Sequence, residues 1–225
     1  MLKLTPLLLV ALWGFAMFKF SAWQMRRQLD TNSTPLKDPA LSELTKRMAR
    51  ALDLPRIDVN VFEIEPVNGL AAPDGRVFIT RGFLKKYRAG EVTAPELASV
   101  IAHELGHVAL NHSRRRMIDF AGHNAVRMVL MTVLGRFVPF IGPYIANFLV
   151  TLLAARLSRQ DEYEADAYAA ALLEKSGIGT LPQITLFYKL DEMTGTSGQP
   201  AWLMSHPRSG DRIAAIETLK SGWNR

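Results

Sequence analysis

Apolar residues dominate the start of the chain, where Lys19 is the only charge between residues 4 and 25. If the lysine side chain reaches the interface, this stretch is long enough to span a bilayer. Residues 1–27 are therefore predicted to be a membrane anchor, with a cleaved signal peptide as the alternative. Residues 28–39 are polar and contain proline, which predicts a linker, and residues 40–225 form the predicted main domain.

A second uncharged run covers residues 137–155, and its prolines and glycine at 139–143 would break a single helix. The apolar region 117–157 is therefore predicted to be a helical hairpin with its turn at residues 137–143. Such a hairpin is either buried in a globular core, or it enters or lies on a membrane. Because of this run and the N-terminal stretch, membrane lipids are an expected partner.

The remaining segments show helical or strand periodicity in turn. Helices are predicted at residues 41–52, 81–87, 182–193 and 208–220, and strands at residues 57–64 and 76–80. With two further helices that carry candidate metal ligands, this pattern predicts an α+β fold that is mostly α and contains a small sheet.

The first of these two helices carries a metal-binding pattern. Thr93 and Glu96 predict a capping box at its start. His103 and His107 are four residues apart and share one face of the helix, so both imidazoles can bind one zinc ion. Glu104 lies between them, where its carboxylate can reach a water on the metal. The stripe predicted to face the core consists of Leu97, Ile101, Leu105 and Val108.

A third zinc ligand has to come from elsewhere in the chain. His112 follows His103 by nine residues, so on a continuous helix it points to roughly the opposite side and is excluded. On the second helix, Glu162 and Asp166 are four residues apart and share a face, from which Glu164 points away. Glu162 as a ligand with Asp166 behind it as a hydrogen-bond acceptor is a coherent unit. A solvated acidic turn is the alternative.

Composition narrows the chemistry further. The chain has no cysteine, which excludes disulfides, cysteine-ligated metals and a cysteine nucleophile. Its net charge of +6 attracts it to acidic surfaces such as anionic lipid. Nucleic acid is not an expected partner, because no interleaving of aromatic and basic residues and no known reader motif accompanies the charge.

Four segments together resemble one group of proteases. They are residues 67–82 (VNGLAAPDGRVFITRG), 103–112 (HELGHVALNH), 162–166 (EYEAD), and the pair 205–207 (SHP) with 211–213 (DRI). In these segments the chain is similar to the zinc metallopeptidases that include HtpX, the mitochondrial Oma-type proteases and the CAAX prenyl proteases, which are gluzincins. The resemblance covers about residues 40–220.

The resemblance implies a gluzincin-type zinc metallopeptidase core that holds one Zn²⁺ per chain, with Glu162 as the third ligand beside His103 and His107. Glu104 is then the expected general base. His206 is expected near the metal, where it contacts the substrate or the transition state or acts as a gate ligand.

The expected activity is zinc-dependent cleavage of peptide bonds in membrane-associated protein quality control, with unfolded or membrane-bound polypeptides as substrates. A zinc-binding, chaperone-like or binding protein with little proteolysis is the alternative. The strand at residues 76–80 is expected to be an edge onto which an extended substrate pairs. The expected location is a membrane, the bacterial inner membrane being favoured, with a single N-terminal anchor.

Overall fold

The computed structural model describes residues 5–72, 74–137, 140–196 and 209–223. Its helices are α1 (Thr5–Thr31), α2 (Pro39–Ala51), α3 (Arg81–Arg88), α4 (Ala94–Ala109), α5 (His112–Phe137), α6 (Gly142–Lys175), α7 (Leu181–Thr196) and α8 (Ser209–Trp223). Its strands are β1 (Ser33–Pro35), β2 (Val59–Phe62), β3 (Gly69–Ala71) and β4 (Val77–Thr80). The predicted α+β fold, mostly helical with a small sheet, is confirmed.

The described strands form one mixed sheet in the order β1-β2-β4-β3. β4 pairs in parallel with β2 on one side and antiparallel with β3 on the other. The expectation that residues 76–80 form an edge is therefore wrong. The reason is that β3, with only three residues, is too short to show an alternating pattern in the sequence. β3 is the outer strand on that side, and β1, within the predicted linker, is the outer strand on the other.

Helix α4 lies in the centre of the core. Its residues from Glu96 to Gly106 are buried, and it packs against α2, α6, α7 and the sheet strands β3 and β4. Most of the predicted apolar stripe is buried, and Val108 is half-buried near the helix end. Because other elements surround α4, the side chains on its other face also point into the protein. The polar ones among them, which include the two histidines, need hydrogen-bond partners there.

The start of α4 is fixed by the predicted capping box. The backbone N–H of Thr93 donates to a carboxylate oxygen of Glu96 at 2.7 Å, and the backbone N–H of Glu96 donates to the Thr93 hydroxyl at 3.4 Å. Lys189 on α7 adds a 2.8 Å ion pair to the same carboxylate. These contacts fix the start of α4 against α7 and thereby help to fix the position of the two histidines in the core.

Helices α5 and α6 pack against each other, and α6 continues without a break from the apolar run into the acidic segment. Residues 138–139 of the predicted turn lie outside the described residues. Large apolar side chains near this turn are exposed, and Phe140 is 89% exposed. Others among them are Met128, Phe137, Tyr144 and Phe148. In the part of the chain that the structure describes, no helix combines the length and the hydrophobicity needed to cross a membrane.

Candidate metal centre

The three predicted metal ligands converge between α4 and α6. His103 Nε2 and His107 Nε2 lie 3.1 Å apart, and the carboxylate oxygens of Glu162 lie 3.4 Å from the first nitrogen and 3.5 Å from the second. Atoms that bind zinc tetrahedrally at about 2.0–2.1 Å are about 3.3–3.4 Å from one another. The 3.1 Å separation of the two nitrogens is close to that spacing, and each nitrogen has a different oxygen of the Glu162 carboxylate at a similar distance. Two imidazoles with a carboxylate are a donor set that suits zinc.

Gly106 allows α6 to approach α4 at the level of the two histidines. A Cβ atom at position 106 would lie 3.0 Å from the carbonyl oxygen of Ala165 and 3.1 Å from its Cα atom. Any larger residue would push the two helices apart. Glu162 and Asp166 lie on either side of Ala165 along α6, so the close approach is what brings both acids to the histidines. Both acids are buried, in contrast to the alternative of a solvated acidic turn.

Asp166 holds His103 at the ring nitrogen opposite the metal position. One carboxylate oxygen lies 2.9 Å from His103 Nδ1, and the two oxygens each accept a 2.6 Å hydrogen bond from the guanidinium of Arg212 on α8. Arg212 is fully buried, with its guanidinium 4.4 Å from the ring centre of Phe187. Burial alone would raise the pKa of Asp166, but Arg212 and His103 bring this pKa below its ordinary value. Asp166 is therefore an anion that orients His103.

The two imidazoles differ in their affinity for a proton. Burial acts to lower the pKa of His103, but its hydrogen bonds to Asp166 and Glu162 outweigh burial and raise the pKa to about 9. Burial lowers the pKa of His107 below its ordinary value. A metal ion that enters this site at neutral pH has to displace the proton of His103, whereas His107 is already neutral.

Glu104 lies beside β3, one of the two outer strands of the described sheet. A Cβ atom at Gly69 would lie 3.4 Å from the Cγ and Oε1 atoms of Glu104 and 2.7 Å from a methyl group of Val100. Gly69 therefore lets the strand lie closer to α4 than an alanine would. The carboxylate predicted to act as the base is thus next to an outer strand, which is where an extended polypeptide can pair.

His112 lies where the extrapolated helix did not place it. Helix α4 ends at Ala109, Asn111 adopts a left-handed backbone conformation with φ 55°, and His112 begins α5. The chain therefore turns, and His112 is buried with its Nδ1 atom 2.8 Å from Nδ1 of His107. The expectation that His112 points away from the histidine face is wrong because it assumed that one helix continues through residue 112.

His206 lies outside the described residues, so its role near the metal stays a prediction.

Arg212 is a residue of the site whose role the sequence analysis missed. It was part of the motif at residues 211–213, but no role followed from the sequence. Its signal was indirect, since a buried Asp166 beside a metal ligand requires a buried cation.

A comparison with known families shows which family the chain belongs to. A model described as "Peptidase family M48" matches residues 35–220, which include both ligand-bearing helices. The chain belongs to peptidase family M48. The resemblance to HtpX and Oma-type proteases is thereby confirmed, and this M48 peptidase is a zinc metalloendopeptidase.

Individual relatives agree with the family. The chain is 29% identical over 205 residues to the metalloprotease LoiP of Escherichia coli, and the aligned region covers 88% of this chain and 78% of LoiP. It is 27% identical to the metalloprotease YcaL of the same bacterium, over 81% of this chain and 70% of YcaL. A protease HtpX homolog of Salinibacter ruber is 27% identical, over 80% of this chain and 74% of the relative.

Removing the guanidinium from the metal centre of this M48 peptidase will destabilise the fold. Arg212→Met leaves Asp166 buried without its cation, and breaking a buried ion pair in this way costs about 3–5 kcal/mol. We expect a matching decrease in the free energy of unfolding, measured by urea denaturation with circular dichroism. Lys85→Met, which breaks the exposed pair with Glu65, is the control and should leave the urea midpoint unchanged. Similar midpoints for the two variants would contradict the structural role of Arg212.

Proposed function

We propose that this M48 peptidase cleaves unfolded or membrane-associated polypeptides in protein quality control, with His103, His107 and Glu162 as its zinc ligands. The observation that carries the proposal is the convergence of two imidazole nitrogens 3.1 Å apart with a carboxylate whose oxygens lie 3.4 and 3.5 Å from them, with Asp166 behind His103 as its hydrogen-bond partner. The names of the relatives, metalloproteases and an HtpX-type protease, support the same activity.

In the proposed mechanism, His103, His107 and Glu162 would hold a zinc ion, which would supply a Lewis acid able to lower the pKa of a water and polarise the scissile carbonyl. Glu104 takes a proton from the attacking water and delivers it to the nitrogen of the leaving amine. Asp166 keeps His103 in one orientation throughout, because its carboxylate is itself held by Arg212. His206 is the proposed hydrogen-bond donor to the developing oxyanion.

We propose that the substrate binds as an added strand on β3. β3 is one of the two outer strands of the described sheet, and Gly69 places it against the helix that bears Glu104. Backbone pairing on such a strand recognises the main chain and tolerates many side chains. That tolerance suits unfolded polypeptides, in which extended backbone is exposed.

A degradation assay tests this activity. Purified protein in detergent should cleave an unfolded substrate such as casein, and a zinc chelator should stop the cleavage. Adding zinc back after the chelator is removed should restore it. Casein that remains intact with zinc-loaded protein would favour the alternative, a zinc-binding protein with little proteolysis.

We also propose that the protein is attached to a membrane through α1 and the hairpin of α5 and α6. Exposed aromatic residues lie on both: Trp13 and Trp23 on α1, and Phe137, Phe140 and Tyr144 near the hairpin turn. The uncharged run at residues 137–155 is flanked by Arg136 and Arg156, whose charges suit anionic headgroups. The first segment contains the anchor expected from the sequence, and the second contains the predicted hairpin, for which a membrane position was one of two alternatives.

Introducing charge near the hairpin turn will weaken membrane binding. Phe140→Glu with Tyr144→Glu places two anions on a surface proposed to contact lipid, which is unfavourable in an apolar and anionic interface. We expect a lower vesicle-bound fraction in co-sedimentation with phosphatidylcholine and phosphatidylglycerol vesicles. Leu181→Glu with Tyr188→Glu, on exposed apolar residues of α7, is the matched control. An equal loss of binding in both double variants would contradict the role of the hairpin.

A further inference from the structure

His112 is a buried imidazole that the proposed mechanism does not use. Its Nδ1 atom lies 2.8 Å from Nδ1 of His107, and its Nε2 atom lies 3.3 Å from a carboxylate oxygen of Glu164 and 3.9 Å from one of Asp161. The ring is only 1% exposed. It therefore sits between a proposed metal ligand and two acids, and its two nitrogens face different partners.

The hydrogen positions follow from the metal geometry. His107 turns its Nε2 atom toward His103 and Glu162, so this nitrogen has to present a lone pair when a metal is bound. The hydrogen of His107 is then on Nδ1 and is donated to Nδ1 of His112. His112 in turn carries its hydrogen on Nε2, which faces the carboxylate of Glu164.

We propose that His112 is a positioning residue that fixes the ring orientation and the tautomer of His107. This inference rests on the proposed role of His107 as a zinc ligand. His112 does for His107 what Asp166 does for His103, but with a neutral acceptor in place of an anion. Outer partners of this kind hold a ligating imidazole in its binding orientation and raise metal affinity.

A second metal site is the competing interpretation of the same cluster. Ligand atoms of His112, Asp161 and Glu164 lie within 4.8 Å of one another, close enough to surround an ion. However, Arg115 donates to Glu164 at 2.7 Å and to Asp161 at 3.2 Å, so both acids already have a cationic partner and one of their two negative charges is balanced. The contacts therefore favour a hydrogen-bonded chain from His107 through His112 to Glu164 and Arg115.

Two amide substitutions separate the two ends of this chain. The Asn Oδ1 atom is two bonds from Cβ, as Nδ1 of histidine is, so His112→Asn keeps an acceptor for His107. The Gln amide reaches one bond further, so His112→Gln keeps a group near Glu164 and loses the acceptor for His107. The measurement is the zinc dissociation constant by competition with a chelator, and the control is the urea midpoint of the zinc-free protein.

We expect His112→Gln to raise the zinc dissociation constant about 10–100-fold, the usual effect of losing such a partner, and His112→Asn to stay within about threefold of the unmodified protein. His112→Phe, which keeps the ring without its nitrogens, repeats the loss if the glutamine variant does not fold. The zinc-free urea midpoints of the two amide variants should be similar. A difference in zinc affinity between them would then not come from a difference in the stability of the fold.

Several results would overturn the inference. Unchanged zinc affinity in His112→Gln and His112→Phe would remove the positioning role, and so would an equal weakening in the asparagine and glutamine variants. Two zinc equivalents per unmodified chain, one of them lost in His112→Phe, would show the second metal site instead. An unmodified chain that binds no zinc would overturn the proposed function itself. This result differs from a failure of the His112 role alone, in which the unmodified chain still binds zinc.

Discussion

Glu104→Gln will retain zinc and lose peptide hydrolysis. The amide has nearly the shape of the carboxylate but cannot accept a proton from water, so the reaction loses its general base. General acid–base catalysis contributes a factor of about 10²–10⁴ to the rate, and we expect the turnover number to decrease by a factor in that range. The measurement is casein degradation with zinc-loaded protein, together with metal analysis of the same sample.

The control for this variant lies on the same helix. Glu96 is as buried as Glu104, but its carboxylate caps the start of α4 and pairs with Lys189. Glu96→Gln keeps a group able to accept the capping hydrogen bond, so its turnover number should stay close to that of the unmodified protein. An unchanged turnover number in Glu104→Gln, with zinc bound, would refute the assignment of Glu104 as the base.

The parts of the site that the sequence could predict depend on spacing within one helix. His103 and His107 share a face because they are four residues apart, and the same rule places Glu162 with Asp166. These spacings are short and lie well inside their helices, so uncertainty about where a helix ends did not affect them. The structure brings His103, His107 and Glu162 together, a meeting of two helices that the family resemblance implied and that spacing alone left open.

The position of His112 could not be predicted in this way because it depends on where α4 ends. A helix continued through residue 112 turns this side chain away from the site, whereas the left-handed turn at Asn111 brings it back. Asparagine is the residue after glycine that most often tolerates this conformation at a helix end. That preference was the available signal, and the helical periodicity before it gave no warning.

Arg212 and the strand order are tertiary features that no local pattern specifies. The guanidinium reaches Asp166 across 46 positions of the sequence, and its partner is evident only when both side chains are buried together. β3 becomes the outer strand only through its pairing with β4. The same dependence on tertiary contact explains why the close approach of α6 at Gly106 was not anticipated from the motif that contains this glycine.

The other prediction with a large expected effect concerns which of two glutamates on α6 binds zinc. Glu162 and Glu164 are two residues apart, but only Glu162 has its carboxylate within 3.4–3.5 Å of both histidine Nε2 atoms. Glu164 instead accepts hydrogen bonds from Arg115 at 2.7 Å and from Gln160 at 3.0 Å, and it is partly exposed. Glu162 is therefore the proposed ligand, and Glu164 belongs to the surface beside the site.

Glu162→Gln should raise the zinc dissociation constant by more than the roughly 100-fold that bounds the loss of an outer partner, because an anionic ligand is replaced by a neutral amide. Glu164→Gln should change it by less than about tenfold, since the amide oxygen still accepts from His112. Chelator competition measures both values at one pH, and hydrolysis at limiting zinc should fall in the same order. Equal weakening by the two substitutions would mean that the wrong carboxylate has been assigned to the metal, since the two substitutions change the charge identically.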